Sequence, residues 1–172
     1  MNDKILVAYA SRTGFTRGVA EAIGRTLAES GVPVDVCPMA DVTDLTPNRA
    51  VVAGSAVRGN QWLPEAVQFV QAHRAELARK PFAAFLVCMT LAIANGKYRE
   101  QVRDFLQPVR ALVRPVSEGF FAGALDIRKV PSLRDKLGFR LSVTMGVWKE
   151  GDHRDWGAIR AWAAELAPRL VV

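Results

Sequence analysis

An apolar run from Lys4 to Ala10 passes through Ser11-Arg12-Thr13-Gly14-Phe15-Thr16 into a segment where Val19, Ala22, Ile23, Thr26 and Leu27 recur at helical spacing. The run is too short to cross a membrane, so it reads as a buried strand. A strand that feeds a helix through such a turn aims backbone N–H groups and the positive end of the helix dipole at one point, where a phosphate is stabilised. Ser11, Thr13 and Thr16 add hydroxyl donors, and Gly14 permits close backbone approach. The triphosphate loop Gly-x-x-x-x-Gly-Lys-[Ser/Thr] is absent, and Gly-x-Gly-x-x-Gly does not occur at this turn. What remains is a hydroxyl-rich turn without lysine, suited to a terminal monophosphate. An ordinary capped helix start is the competing reading, because Ser and Thr are common N-caps.

The 172 residues are expected to form one domain, 1–172, burying roughly 70% of the unfolded surface. Ile5 to Ala10 lacks the length, basic flank and cleavage site of a secretory signal. The longest nearly uncharged run, Pro81 to Asn95, is shorter than a spanning helix and reads as a central strand entering a loop. Cys37 and Cys88 both lie on apparent strands and are expected to be a reduced, packing pair in a cytoplasmic protein. His73 and His153 offer no metal cluster, and His153 is read as a surface residue near a helix start. The net charge is +6, and Arg128 to Lys149 holds six basic residues against Asp135 alone. Such a patch favours an anionic partner: a carboxylated substrate, an anionic lipid surface or, least of the three, nucleic acid, for which no reading module is present. A solvated face is the alternative.

Strand and helix patterns alternate along the chain. Strands are expected at Lys4–Ala10, Val34–Cys37, Ala50–Ala56, Phe82–Met89 and Phe120–Ala124. Helices are expected to about Ser30, from Pro64 to Arg79, from about Tyr98 to Leu106, and from about Trp156 to Leu166. This pattern implies α/β architecture with a parallel, doubly wound sheet covered on both faces. Ligands bind such sheets at the carboxyl ends of the strands, beside the topological switch. Three loops meet there: Ser11–Thr16, Val57–Leu63 and Thr90–Lys97.

Val7 to Ile23 resembles the flavodoxin signature, with Tyr9, Ser11, Gly14, Thr16, Ala20 and Ile23 at the family's spacing; Ala8 departs from it. The resemblance implies a three-layer, five-stranded parallel sheet of order 2-1-3-4-5, with FMN as cofactor and Ser11, Arg12, Thr13, Gly14, Phe15 and Thr16 around its phosphate. An isoalloxazine ring needs flat apolar contact on its faces and hydrogen bonds at its polar edge. Trp62 is the candidate for stacking, the backbone near Val57 and Gly59 for the N5 edge, and Arg58 for positive charge. Trp62 packed beneath the next helix, with Arg58 in solvent, is the alternative. Thr90, Leu91 and Ala92, followed by Ala94 and Gly96, would run along the other side of the ring.

Between the fifth strand and the last helix, about 126–151 is inserted, carrying the basic patch with Leu133, Leu137, Phe139, Leu141, Val143, Met145, Val147 and Trp148. No strict helical period holds throughout, because Pro131, Gly138 and Gly146 interrupt it. The segment can lie on a bilayer, cap the site or form a partner interface. Tyr9–Thr16, Gly54-Ser55-Ala56-Val57-Arg58, Phe121-Ala122-Gly123-Ala124-Leu125-Asp126 and Gly151-Asp152-His153-Arg154-Asp155-Trp156 together resemble the menaquinone-dependent protoporphyrinogen dehydrogenases, a long-chain flavodoxin family. Gly59-Asn60-Gln61-Trp62 and His153 depart from that family's pattern. The resemblance implies hydride removal from a reduced tetrapyrrole to FMN, with a quinone as the final acceptor. Arg58, Arg128 and Lys129 would hold propionates, and 128–149 would touch an anionic membrane. A flavodoxin-type electron carrier without substrate chemistry is the rival. An NAD(P)H-dependent quinone reductase is disfavoured because no nicotinamide site is visible.

Overall fold

The computed structural model describes residues 3–93 and 98–171. Five parallel strands form its centre: β1 (Lys4–Ala10), β2 (Val34–Pro38), β3 (Asn48–Arg58), β5 (Phe82–Cys88) and β6 (Ser117–Ala122). The two-residue β4 (Gln61–Trp62) folds antiparallel onto the end of β3. The strand order is β2-β1-β3-β5-β6, which is 2-1-3-4-5 when only parallel strands are counted. The switch lies between β1 and β3, where the phosphate-type turn emerges.

Side-chain alternation along these strands builds two cores. Leu6, Ala8, Val51, Ala53, Ala84 and Leu86 face one side, against α2 (Pro64–Ala72), α3 (Arg74–Leu77), α4 (Arg99–Asp104) and α5 (Gln107–Leu112). Ile5, Val7, Val52, Phe85 and Val87 face the other, against α1 (Phe15–Ala28) and α7 (Trp156–Leu170). Each central strand is buried on both faces, as a parallel sheet requires.

Several boundaries differ from the sequence pattern. The helix expected over Pro64–Arg79 breaks at His73, whose ring packs 4.9 Å from Phe69. The helix expected over Tyr98–Leu106 is α4, and a further helix, α5, follows it, opened by Pro108, which cannot extend α4. The last parallel strand ends at Ala122, and β7 (Ala124–Leu125) pairs instead with β8 (Gly151–Asp152). That small ladder joins the two ends of the inserted segment, assisted by the Ile127 N–H donating to Glu150 and the His153 N–H donating to the Gly123 carbonyl. Within the insertion, α6 (Leu133–Thr144) runs straight through Gly138, contrary to the expected interruption. Pro131 and Gly146 instead bound it, with Ser132 as N-cap accepting from the Asp135 N–H. Asp155 caps α7 in the same way. Among the described residues no helix is long and apolar enough to cross a membrane.

Candidate functional site

At the carboxyl ends of β1, β3 and β5 lies a cavity of about 330 Å³. Its first wall is the turn into α1. Ser11 Oγ accepts the Gly14 N–H at 3.0 Å, and Gly14 takes φ +86°, a conformation open to glycine. Ser11 and Gly14 therefore shape the turn from behind, while Arg12, Thr13, Phe15 and Thr16 line the cavity. The start of α1 has neither a side-chain cap nor an acidic residue in its first turn. Its leading N–H groups have no intrahelical acceptor, and with the two threonine hydroxyls they form a donor set that fits a terminal phosphate.

Cations around this turn are fixed by local partners. Arg12 pairs with Glu65 at 2.6 Å. Arg154 pairs with Asp152 at 2.7 Å, donates to the Phe15 carbonyl, and lies 5.2 Å from the Phe15 ring centre and 4.6 Å from that of Trp156. The Arg154 hydrogen bonds hold the Asp152 carboxyl below the usual carboxylate range. Lys129 Nζ stands 4.9 Å above Phe15, and Arg128 pairs with Asp126, depressing that carboxyl likewise.

The second wall comes from β3 and its turn. Gly59 and Asn60 both adopt positive φ, making a two-residue hairpin between Arg58 and Gln61. Ala56, Val57, Arg58, Gly59 and Asn60 line the cavity. Trp62 does not, and its assignment as a stacking partner is corrected. It pairs with Val57, is 1% exposed within the core that α2 covers, and its Nε1 has no hydrogen-bond partner among the described residues. Ser55 secures this return, accepting the Leu63 N–H and donating to the Ala56 carbonyl.

On the far side, Val87, Cys88, Met89 and Thr90 complete the wall. Leu91 and Ala92 follow in a half-buried single turn that continues from this wall, with Leu91 packed on the core. The reading made for Ala94 and Gly96 lies outside the described residues. Cys88 is buried as expected and also forms part of the wall; both cysteines are free thiols. Among the described residues no group of His, Cys, Asp or Glu could hold a metal.

The roof is the insertion. Asp126, Val130, Pro131, Asp135, Phe139 and Trp148 close the cavity from above, and Arg58 Nη2 meets Asp135 Oδ2 at 2.5 Å, clasping α6 to the end of β3. Asp135, Phe139 and Trp148 carry individual roles that no motif marks in the sequence. The four-residue spacing of Asp135 and Phe139, which puts both on one face of a helix, was the available signal. Arg154 passes close over Gly18, where a Cβ would stand 2.7 Å from the guanidinium.

The fold recurs in solved structures. The oxidised flavodoxin 2 of Bacillus cereus is similar at 26% identity over 83% of this chain and 99% of that one, with a TM-score of 0.53. A flavodoxin of Streptococcus pneumonia TIGR4 shares 18% identity over 96% and 99%, with a TM-score of 0.59. A flavodoxin from the domain Archaea shares 18% over 97% and 98%, with a TM-score of 0.58. The family model for the flavodoxin domain matches residues 6–152. With the sheet order, the phosphate-type turn and that match in agreement, this chain belongs to the flavodoxin-domain family, whose cofactor is FMN.

Proposed function

We propose that this protein is an FMN-dependent oxidoreductase that oxidises protoporphyrinogen IX and passes the electrons to a membrane quinone. The observation that carries the reading is the roof: the insertion and the cofactor-type loops line one cavity. A carrier that only exchanges electrons with docked proteins needs no such cover, whereas an enzyme gains by excluding water around its substrate. The four stretches that resemble the protoporphyrinogen dehydrogenases are what point to the substrate. When bound, FMN supplies the redox chemistry. The chain supplies phosphate donors at Thr13, Thr16 and the start of α1, backbone at Val57 and Gly59 for the ring's polar edge, and apolar walls from Val87 to Thr90. A cavity of about 330 Å³ lies at the small end of ligand pockets, enough for a cofactor but not for a macrocycle beside it. Entry of the tetrapyrrole therefore requires α6 to lift, which frees Arg58 from Asp135 to meet a propionate.

The quinone side is read from the other face of α6. Leu133, Leu137, Leu141 and Met145 follow at four-residue spacing and are 62–78% exposed. Arg134, Lys136 and Arg140 interleave with them and make no ion pair among the described residues. An apolar stripe flanked by unpaired cations suits the surface of an anionic bilayer. Vesicles containing phosphatidylglycerol should retain the protein, neutral vesicles should not, and Leu137→Glu should release it. Equal binding to both vesicle types, or a doubled mass in light scattering that Leu137→Glu abolishes, would assign the stripe to another partner.

The decisive experiment is to titrate FMN into the purified chain, following visible absorbance and melting temperature, and then to supply protoporphyrinogen anaerobically with and without menaquinone. Quinone-dependent porphyrin formation supports the proposal. Bound FMN without porphyrin formation, together with electron exchange with a reductase, returns the protein to the electron-carrier reading. No FMN binding defeats both.

A further inference from the structure

We infer that the insertion supplies the aromatic wall of the cofactor ring site, with Phe139 and Trp148 taking the part that the turn after β3 leaves empty. This rests on the reading that FMN occupies the cavity. A flat conjugated ring is held by flat apolar contact on its faces. Trp62, the aromatic of the turn after β3, is locked in the ladder with Val57 and buried beneath α2, so turning it outward would open the core. Three aromatic residues line the cavity itself: Phe15, Phe139 and Trp148. Phe15 already engages the Lys129 ammonium and the Arg154 guanidinium. The two that remain both come from the insertion.

Their placement is built into the backbone. Phe139 stands one turn after Asp135, on the face of α6 that the Arg58 clasp draws toward the cavity. Trp148 lies beyond the end of that helix, and a specific turn brings it back. Gly146 adopts φ +74°, its N–H donates to the Val143 carbonyl at 3.0 Å, and the Val147 N–H donates to the Ser142 carbonyl at 2.9 Å. This paired closure reverses the chain at a glycine. As a result Trp148 is half-buried against the cavity, while its neighbours Met145 and Val147 stay exposed. The phosphate grip and the ring contact therefore belong to separate parts of the chain.

The test uses the full chain and free FMN, comparing wild type with Trp148→Phe, Trp148→Leu, Phe139→Leu and the core control Trp62→Phe. An indole in contact with a flavin quenches its emission. Bound FMN should therefore be brighter in both Trp148 variants and unchanged in Trp62→Phe. Trp148→Phe keeps a flat surface and should bind FMN nearly as well as wild type, whereas each leucine variant should weaken binding by roughly three- to tenfold. Bound FMN with emission and affinity unchanged in Trp148→Phe and Trp148→Leu would overturn the inference and leave the cofactor assignment standing. If wild type itself binds no FMN, the assignment and the inference fail together. The near-wild-type affinity expected of Trp148→Phe separates lost contact from lost folding.

Discussion

Arg58→Gln should loosen the roof while leaving the sheet intact. The Arg58 guanidinium contacts Asp135 at 2.5 Å, with the arginine side chain 62% exposed and the aspartate 30% exposed. Water screens such a pair, so its contribution is about 0.5–1 kcal/mol. If the clasp holds α6 down, its loss raises the open population about two- to fivefold. Asp135→Asn should cost more. Asp135 lies in the first turn of α6, where its carboxylate faces the positive end of the helix dipole, adding about 0.3–1 kcal/mol. The double variant separates these contributions, because only the clasp is shared between the two single variants. Amide hydrogen exchange of the whole protein is the assay. Amides of α6 should exchange two- to fivefold faster in Arg58→Gln, with β1, β3 and β5 unchanged. Exchange in α6 equal to wild type would refute the clasp as the element that holds the roof.

Gly54 pairs with Phe85 across β3 and β5, and a Cβ there would fall 1.9 Å from the buried ring; Gly54→Ala should cost about 2–3 kcal/mol and lower the melting temperature by roughly 4–12 °C in calorimetry. Asp152 is held below the ordinary carboxylate range by Arg154. The unfolded chain therefore takes up that proton first as pH falls, so this stabilisation is complete above about pH 4 and lost as pH drops through the lowered folded value. Acid melts should accordingly be less steep in Asp152→Asn. Burial, then Asp41 and Asp35, push the Cys37 thiol up; its alkylation near neutral pH should be slower than that of a free thiol and should quicken in Asp41→Asn.

The sheet was legible because β1, β3 and β5 are apolar on both faces, a pattern that only a strand covered from two sides sustains. The turn into α1 was visible as a strand-to-helix junction, but its Ser, Thr and Gly suit an ordinary capped helix start as well, and only the uncapped start of α1 in the fold leaves its N–H groups open. Trp62 was not legible, because the same residue after the same strand can serve a ligand or the core. Its pairing with Val57 and the cover of α2 decide the matter, and both are tertiary. The helix α6 was hidden for a different reason. It is used on two sides, with Asp135 and Phe139 toward the cavity and Leu133, Leu137 and Leu141 toward solvent, so no single stripe marks it. Gly138 added a false breaker, since nothing packs where its side chain would be.

The ladder between Ala124–Leu125 and Gly151–Asp152 makes the roof a cassette. Its entry and exit strands are hydrogen-bonded neighbours, so a tight hairpin could replace everything between them without moving β6 or α7. Lineages sharing this framework are thus free to lengthen, shorten or exchange the cover, and with it the choice of reaction, at little cost to the foundation beneath.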